Sequence, residues 1–247
     1  VDSAFLGWAA RQVLGDRVLC VTADSPSYPD RHRQMALDVA RTFGLPHEMV
    51  GTAELENPEY RANEPDRCYH CKHELYTRLT ALASERGFAA VADGSNADDR
   101  GDYRPGRRAA REFGVVSPLD EAELTKNDIR ELSRRAGLPT WDEPASACLS
   151  SRVPYFSEVT VEKLRAIEGA EAELRALGFR VLRVRHHGDI ARIEVAVEEL
   201  PRLIEPATAR AVDAAIRQHG FRHVAVDLRG YRLGSLNEGL KLTPVNG

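Results

Sequence analysis

The chain has four cysteines, Cys20, Cys68, Cys71 and Cys148, and these are the residues that could serve the widest range of chemical roles. Cys68 and Cys71 form a Cys-x-x-Cys motif, which suits a redox pair, half of a zinc site or part of an iron–sulfur site. Cys148 is followed closely by two serines and Arg152, which suits a reactive thiol, although a buried inert cysteine fits equally well. Cys20 is flanked by apolar residues in a predicted strand, so we assign it to the core.

Two places along the chain have the composition of an anion site. Val1-Asp2-Ser3 runs directly into a predicted helix, Ala4–Leu14, whose first N–H groups would favour phosphate; a plain Asp or Ser cap is the alternative. Gly94-Ser95-Asn96 follows the predicted strand Phe88–Ala92, at the kind of strand end where open α/β sheets bind ligands, and a simple turn is the alternative. Because the chain opens with Val rather than Met, we expect residues upstream of it.

Charged side chains offer further candidates. The loop from Asp98 to Arg111 mixes arginines with aspartates, so it can hold phosphate and magnesium beside the strand end; a solvated ion-pair loop is equally consistent. Arg183 and Arg185 share one face of a predicted strand, which suits a phosphate or carboxylate ligand, with an exposed strand face as the alternative. Glu171, on a long predicted helix, is by itself typical of a solvated charge.

Short apolar strands alternate with helices in the first part of the chain. This alternation predicts an α/β domain, with a parallel sheet covered by helices on both faces. Thr125 with Asp128 three residues later predicts a capping box at the start of one helix. The predicted strands are Arg17–Ala23, Leu45–Val50 and Phe88–Ala92, and the predicted helices are Asp30–Phe43, His73–Gly87 and Thr125–Ala136.

The pattern changes after about Tyr155. A long helix, two strands joined by a hairpin-like turn, a second helix and a last strand predict a smaller α+β domain. The predicted domains are therefore residues 1–155 and 156–247. The elements of the second are helix Thr160–Leu177, strands Phe179–Arg185 and Ile190–Val197, helix Glu198–Gln218 and strand His223–Leu228.

Composition limits the partners. The chain has 247 residues, a net charge of −4 and a pI of about 6.1, without a run of Lys or Arg, which disfavours nucleic acid as a partner. No stretch approaches about 18 consecutive apolar residues, so no membrane span is expected. Four cysteines are too few for a disulfide framework, so a reducing, cytoplasmic location is expected.

Short segments, in order along nearly the whole chain, match the motifs of a known family. They are Val1-Asp2-Ser3, Arg67-Cys68-Tyr69-His70-Cys71-Lys72, Asp93-Gly94-Ser95-Asn96-Ala97-Asp98-Asp99, Asp102-Tyr103-Arg104-Pro105-Gly106, Ser117-Pro118-Leu119, Leu124-Thr125-Lys126, Ala147-Cys148-Leu149-Ser150-Ser151-Arg152-Val153-Pro154-Tyr155 and Gly230-Tyr231-Arg232-Leu233-Gly234-Ser235-Leu236-Asn237-Glu238. Together they resemble the LarE family, sulfur transferases that make the nickel-pincer nucleotide cofactor of lactate racemase.

The resemblance implies a Rossmann-like PP-loop nucleotide-binding domain followed by a smaller α+β sulfur-transfer domain. It implies that ATP, with Mg²⁺, adenylylates a carboxylate of pyridinium-3,5-dicarboxylate mononucleotide, which then becomes a thiocarboxylate. The chemistry is consistent, because adenylylation turns a poorly leaving carboxylate oxygen into a phosphate leaving group that a thiolate or sulfide can displace.

For the ATP site, Asp2 and Ser3 match the end of the family's Ser-Gly-Gly-x-Asp-Ser loop. The Ser-Gly-Gly part is not in this chain, so the match to this loop rests on these two residues. We assign Ala23, Gly94 and Asn96 to the same ATP site, and Asp98 to the magnesium or phosphate.

For sulfur transfer, Cys148 matches the family's sulfur-handling cysteine. Some members sacrifice it, so that it becomes dehydroalanine, whereas others also carry the Cys-x-x-Cys and hold a 4Fe–4S cluster on three cysteines, with one iron left for an extra sulfide. The resemblance therefore favours a cluster held by Cys68, Cys71 and Cys148. It also implies that Arg183 and Arg185 hold the substrate phosphate, with Ser151, Arg152 and a metal- or phosphate-site Glu171 nearby. Phe156 stands where the family has Gly, so a different local turn is expected.

Other functions fit parts of this pattern. They are sacrificial donation from Cys148, a tRNA thiolase of the same fold, which the acidic pI disfavours, and a non-enzymatic ATP- or zinc-binding module. The expected partners are a small nucleotide-like substrate, further copies of this chain in a homo-oligomer, as is usual for the family, and other proteins of cofactor biosynthesis.

Overall fold

A computed structural model describes residues 1–101, 105–144, 147–232 and 234–235 of the chain. By their contacts these residues form two units. The first comprises residues 1–60 and 66–144, and the second comprises residues 61–65 and the described residues from 147 to 235. The division thus lies before Cys148 and not near Tyr155, because Leu149 and Val153 are already buried within the second unit.

The first unit begins with helix α1 (Asp2–Leu14), followed by strand β1 (Cys20–Asp24), helix α2 (Asp30–Thr42) and strand β2 (His47–Gly51). Strands β1 and β2 pair in parallel, from Cys20 opposite His47 to Asp24 opposite Gly51. Parallel strands need a crossover, which α2 provides. The core of this unit contains Phe5 of α1, Val39 of α2, and Leu45, Ile129 and Leu138 from later in the chain.

The other α-helices in the described part of the first unit are α3 (Pro58–Arg61), whose last residue belongs to the second unit, α4 (Arg67–Arg86), α5 (Gly106–Glu112), α6 (Pro118–Glu121) and α7 (Lys126–Arg135). Helix α4 begins at Arg67, well before the predicted His73, and α3, α5 and α6 were not predicted. The capping box between Thr125 and Asp128 is confirmed. The predicted strand Phe88–Ala92 is wrong beyond one parallel bridge from Ala92 to Val116. Ala89 and Ala90 are exposed, and such small side chains give a strand little surface to pack.

The second unit contains helix α8 (Val161–Ala176), strands β3 (Leu182–His187) and β4 (Ile190–Val195), helices α9 (Leu200–Ile204) and α10 (Pro206–Arg217) and strand β5 (His223–Val226). Strands β3 and β4 form an antiparallel hairpin, and β5 joins β4 in parallel. The single helix predicted for Glu198–Gln218 is wrong, because Pro206 cannot continue a helix and begins a new one. The core of the second unit includes Leu174, Leu182, Val184, Ile193 and Ile216.

Among the helices of the described residues, none has both the length and the apolar character that crossing a membrane requires.

Candidate active site

Four of the residues assigned to ATP come together in the first unit, where the start of α1 meets residues 94–96. A Cβ added to Gly94 would lie 3.0 Å from the Ser3 nitrogen and 3.1 Å from Ser3 Oγ, so the missing side chain allows this approach. The Asn96 amide donates to Asp2 Oδ1 at 3.4 Å. Val1 is the N-cap of α1 and makes no side-chain cap, so the alternative of an Asp or Ser cap is wrong.

Lys126 belongs to this site, although we assigned it no role from the sequence. Its Nζ forms an ion pair with Asp2 Oδ2, and its backbone N–H donates to Asp98 Oδ2 at 2.8 Å. A cation in the first turn of a helix is opposed by the helix dipole, so these two carboxylates compensate an unfavourable placement. That placement, directly after the cap Thr125, is the signal in the sequence that points to Lys126.

Asp93 holds the backbone next to Gly94. Its carboxylate accepts hydrogen bonds from Ser117 Oγ at 2.8 Å, the Tyr76 hydroxyl at 2.9 Å and Ser95 Oγ at 3.0 Å. Burial opposes ionisation, but these bonds and the charge of nearby Lys72 outweigh it and lower the pKa of Asp93. Asp93 is therefore an ionised anchor for the backbone that leads to Gly94.

Carboxylates lie beside three arginines of the following loop: Arg100, Arg107 and Arg108. Arg100 and Arg107 both bind Asp120. Arg108 lies 3.7 Å from Glu112. The ion-pair alternative thus describes these three arginines, whereas Asp102, Tyr103 and Arg104 lie outside the described residues. The role of Asp98 at magnesium or phosphate stays a prediction.

Cys68 and Cys71 lie in the first two turns of α4, Cys68 exposed and Cys71 half-buried. Helix positions three apart place their Cβ atoms about 5–6 Å from each other, so both thiols fit as ligands of one cluster. Within each unit, the described residues contain no group of three or more His, Cys, Asp or Glu that could hold a metal ion. Because Cys148 belongs to the second unit, the three-cysteine site stays a prediction.

Cys20 is packed as the sequence predicts. It lies half-buried on β1 against the core of the first unit, and its Sγ would be 2.8 Å from a Cβ on Gly7 of α1. Burial raises the pKa of the Cys20 thiol, which disfavours the reactive thiolate. Cys20 is therefore a suitable control for the chemistry of the other cysteines.

Cys148 precedes a single 3₁₀ turn, Leu149–Arg152, and is its N-cap. The Cys148 carbonyl accepts hydrogen bonds from Ser151 Oγ at 2.8 Å and from Arg152 Nη1 at 2.9 Å. Arg185 Nη1 donates to the Ser151 carbonyl at 2.8 Å. Three residues predicted to bind substrate thus hold the backbone of this turn, and their contact with substrate stays a prediction.

Glu171 is buried, unlike the solvated charge that its sequence context suggests. Its carboxylate accepts from Arg152 Nε at 2.9 Å, Arg175 Nη2 at 3.0 Å and the Val184 N–H at 3.2 Å, and only 2% of the residue is exposed. Burial opposes ionisation, but the charge of Arg152 and its hydrogen bond lead the effects that lower the pKa of Glu171. Glu171 therefore positions Arg152, and its role at a metal or phosphate stays a prediction.

Arg183 and Arg185 face the same side of β3, opposite to the core residues Leu182 and Val184, as the strand period predicts. They are 8% and 5% exposed, so the alternative of an exposed strand face is wrong. Arg185 binds both carboxylate oxygens of the buried Glu194, at 3.0 and 2.8 Å.

Arg183 contacts a backbone carbonyl and an aromatic ring. Its Nη1 donates to the Leu182 carbonyl at 2.7 Å, and its guanidinium lies 5.1 Å from the centre of the Tyr231 ring. Burial, together with the charge of Arg152, lowers the pKa of Arg183 to about 10. An anion bound beside Arg183 would offset the repulsion between the guanidinium groups of Arg183 and Arg152.

Phe156 takes the backbone conformation that glycine favours. Its φ is 64°, in the left-handed region, and the residue is 68% exposed.

Comparison with known proteins gives the family. No family model matches the chain. The chain is 43% identical over 240 residues to an uncharacterised protein of Synechocystis sp., covering 97% of this chain and 90% of that protein. It is 36% identical over 241 residues to the pyridinium-3,5-bisthiocarboxylic acid mononucleotide synthase of Lactiplantibacillus plantarum, covering 97% of this chain and 87% of the synthase. An uncharacterised protein of Methanocaldococcus jannaschii is 27% identical over 232 residues, 94% of this chain and 87% of that protein.

The similarity to the synthase covers 97% of this chain and therefore extends over both units. At this identity and coverage, the chain belongs to the family of pyridinium-3,5-bisthiocarboxylic acid mononucleotide synthase, the LarE family.

Proposed function

We propose that this chain is an ATP-dependent sulfur transferase. It adenylylates a carboxylate of pyridinium-3,5-dicarboxylate mononucleotide and converts that carboxylate to a thiocarboxylate. The observation that carries the proposal is the 36% identity to a synthase of the bisthiocarboxylic acid nucleotide over 97% of this chain. The meeting of Ser3, Gly94 and Lys126 in the first unit supports it.

The first unit is, in this proposal, a Rossmann-like PP-loop domain that binds ATP. Ser3 and the first N–H groups of α1 donate to phosphate oxygens, and Lys126 neutralises their charge. Ala23, near the end of β1, leaves room for the nucleotide, and Gly94 allows Ser3 to approach. Asp98 is a candidate ligand of Mg²⁺. The carboxylate oxygen of the substrate attacks the α-phosphorus, and pyrophosphate leaves with its electron pair.

The cysteines supply the sulfur ligands. Cys68, Cys71 and Cys148 would hold a 4Fe–4S cluster, which when bound supplies an iron that carries the sulfide for transfer. Arg183 holds the substrate phosphate in the second unit, and Arg152 fixes the turn that carries Cys148. In the sacrificial alternative, the Cys148 thiolate attacks the carbonyl carbon of the adenylate and AMP leaves, which gives a thioester. A base then removes the Cα proton of Cys148, and the Cβ–S bond breaks so that the thiocarboxylate leaves with the bonding electrons and dehydroalanine remains.

The nucleotide products test the adenylylation step. With ATP, magnesium and the dicarboxylate nucleotide, we expect AMP and pyrophosphate, because attack occurs at the α-phosphorus. Chromatography of the nucleotides measures this, in protein that includes any residues upstream of Val1 and with a control lacking the dicarboxylate. ADP with inorganic phosphate would mean that the first unit does not adenylylate.

Lys126→Met should weaken the binding of ATP by about ten- to a hundredfold, since a charge-assisted contact contributes roughly 1.5–3 kcal/mol. The change also leaves the Asp2 carboxylate uncompensated beside the phosphates. Calorimetric titration with a non-hydrolysable ATP analogue measures the affinity. Lys163→Met, in the second unit, is the matched control and should bind normally. An unchanged affinity in Lys126→Met would remove Lys126 from the nucleotide site.

Arg183→Ala should weaken the binding of the dicarboxylate nucleotide more than that of ATP, by roughly 1.5–3 kcal/mol for a lost phosphate contact. Arg185→Ala should do the same and should also destabilise the second unit, because Glu194 is 0% exposed and loses a bidentate partner. Titration of each ligand, with a thermal melt of each variant, separates the two effects. Normal substrate affinity in both variants would show that the pair is structural.

A further inference from the structure

The segment Arg61–Pro65 belongs to the second unit, although the chain on both sides of it belongs to the first. Its backbone carbonyls accept two hydrogen bonds from the stretch after the Cys148 turn. The Val159 N–H donates to the Arg61 carbonyl at 2.9 Å, and the Phe156 N–H donates to the Asn63 carbonyl at 3.0 Å. The Arg61 guanidinium also forms an ion pair with Glu158.

Asn63 makes the most concentrated set of these contacts. Its amide nitrogen lies 3.3, 2.7 and 3.0 Å from the carbonyl oxygens of Val153, Pro154 and Ser157. Asn63 is 0% exposed, and its φ of 58° is a left-handed conformation that asparagine adopts more readily than other residues with a side chain. Both its backbone and its side chain are therefore committed to the 153–157 stretch.

Asn63 lies in the sequence between two parts of the chain that carry cysteines, and this position relates its contacts to sulfur transfer. Val153 directly follows the turn that Cys148 caps. In the other direction, only Glu64, Pro65, Asp66 and Arg67 separate Asn63 from Cys68. One buried side chain thus joins the end of the Cys148 turn to the segment that leads into the Cys-x-x-Cys helix.

We propose that Asn63 is a positioning residue for sulfur transfer: it fixes the Cys148 turn to the segment that leads to Cys68 and Cys71. The start of the turn depends on its end, because the two hydrogen bonds to the Cys148 carbonyl come from Ser151 and Arg152, the last two residues of the turn. Asn63 holds that end, so loss of the amide frees the residues after Arg152 and exposes the Cys148 thiol. The consequence for sulfur transfer rests on the proposed function, whereas the effect on Cys148 exposure does not.

Asn63→Gly tests this proposal, because glycine accepts the left-handed backbone but lacks the amide. Both proteins are prepared without a cluster. We expect iodoacetamide to alkylate Cys148 about tenfold faster in the variant than in the unmodified protein, because loss of one or two hydrogen bonds favours local opening. Peptide mass spectrometry measures the rate at each cysteine. The rate at Cys20 should not change, whereas general destabilisation would raise it too.

Ser157→Ala is the matched control, because Asn63 contacts the Ser157 backbone and the Ser157 hydroxyl contacts Lys163 instead. It should leave the Cys148 rate unchanged. After anaerobic treatment with iron and sulfide, Asn63→Gly should also retain less iron than Ser157→Ala. Equal Cys148 rates in Asn63→Gly and the unmodified protein would overturn the proposal.

The test also covers an unmodified protein that binds no iron and a variant that does not fold. If the unmodified protein binds no iron, the cluster form of the proposed function fails, and the alkylation rates still decide the role of Asn63. If Asn63→Gly does not fold, hydrogen exchange in the unmodified protein replaces it. The Phe156 and Val159 N–H groups should then exchange as slowly as those of β3, and exchange at the rate of an open loop would overturn the proposal.

Discussion

Replacing Cys148 with serine should abolish formation of the thiocarboxylate while leaving the affinity for ATP unchanged. A serine hydroxyl has nearly the same size, but it is neither a thiolate nucleophile nor an iron ligand of comparable strength, so either sulfur mechanism fails. The loss should be at least about a thousandfold, the size of effect expected when a nucleophile is removed. ATP binding should persist because Cys148 belongs to the second unit and the assigned nucleotide residues to the first.

Cys20→Ala is the control and should form product normally, since the Cys20 thiol packs against the core of the first unit and burial raises its pKa. Mass spectrometry of the Cys148 peptide after turnover separates the two mechanisms. Sacrificial donation should remove about 34 Da, the mass of hydrogen sulfide, whereas cluster-based transfer should leave the peptide unchanged. In the cluster case, Cys68→Ser and Cys71→Ser should each lose iron as Cys148→Ser does. Normal product formation by Cys148→Ser would contradict both mechanisms.

Replacing Arg152 with alanine should lower the free energy of unfolding by about 3–5 kcal/mol, the cost of breaking a buried ion pair. Arg152 is 1% and Glu171 2% exposed, so the remaining carboxylate would stay buried with less compensation. The variant also loses the bonds from Arg152 Nη1 to the Ala147 and Cys148 carbonyls, at 2.7 and 2.9 Å. Urea denaturation, followed by circular dichroism, measures the change.

Arg175→Ala is the matched control for this experiment. Arg175 binds the same carboxylate at 3.0 Å, but its side chain is 29% exposed, so its removal should cost about 1 kcal/mol or less. The double replacement of Arg152 by Met and Glu171 by Leu should cost less than Arg152→Ala, because no unpaired charge is left buried. A loss below about 1 kcal/mol in Arg152→Ala would show that the pair does not support the Cys148 turn.

Local signals in the sequence predicted much of the fold. The capping box at Thr125 and the faces of β3 depend on neighbouring residues, and both are confirmed. The burial of Glu171 was also readable, since it lies seven residues after Leu164 and three before Leu174, on the apolar face of α8. Pro206 was visible too and should have divided the predicted helix Glu198–Gln218.

Contacts between distant parts of the chain were not predictable in this way. Lys126 and Asp2 are separated by 124 positions, so no local pattern relates them. The bonds from Asn63 span 90 positions or more, and they place a short segment of the first part of the chain in the second unit. Ser151, Arg152 and Arg185 were predicted as substrate ligands, but a sequence cannot reveal that their hydrogen bonds hold a turn.

The mass of the nucleotide product tests the central claim most directly. The protein is incubated anaerobically with magnesium and pyridinium-3,5-dicarboxylate mononucleotide, with and without ATP, and the nucleotide is analysed by mass spectrometry. We predict that one carboxylate oxygen is exchanged for sulfur, a gain of about 16 Da, only when ATP is present. Consumption of ATP without this gain, or an unchanged nucleotide under all conditions, would contradict the assignment as a sulfur transferase.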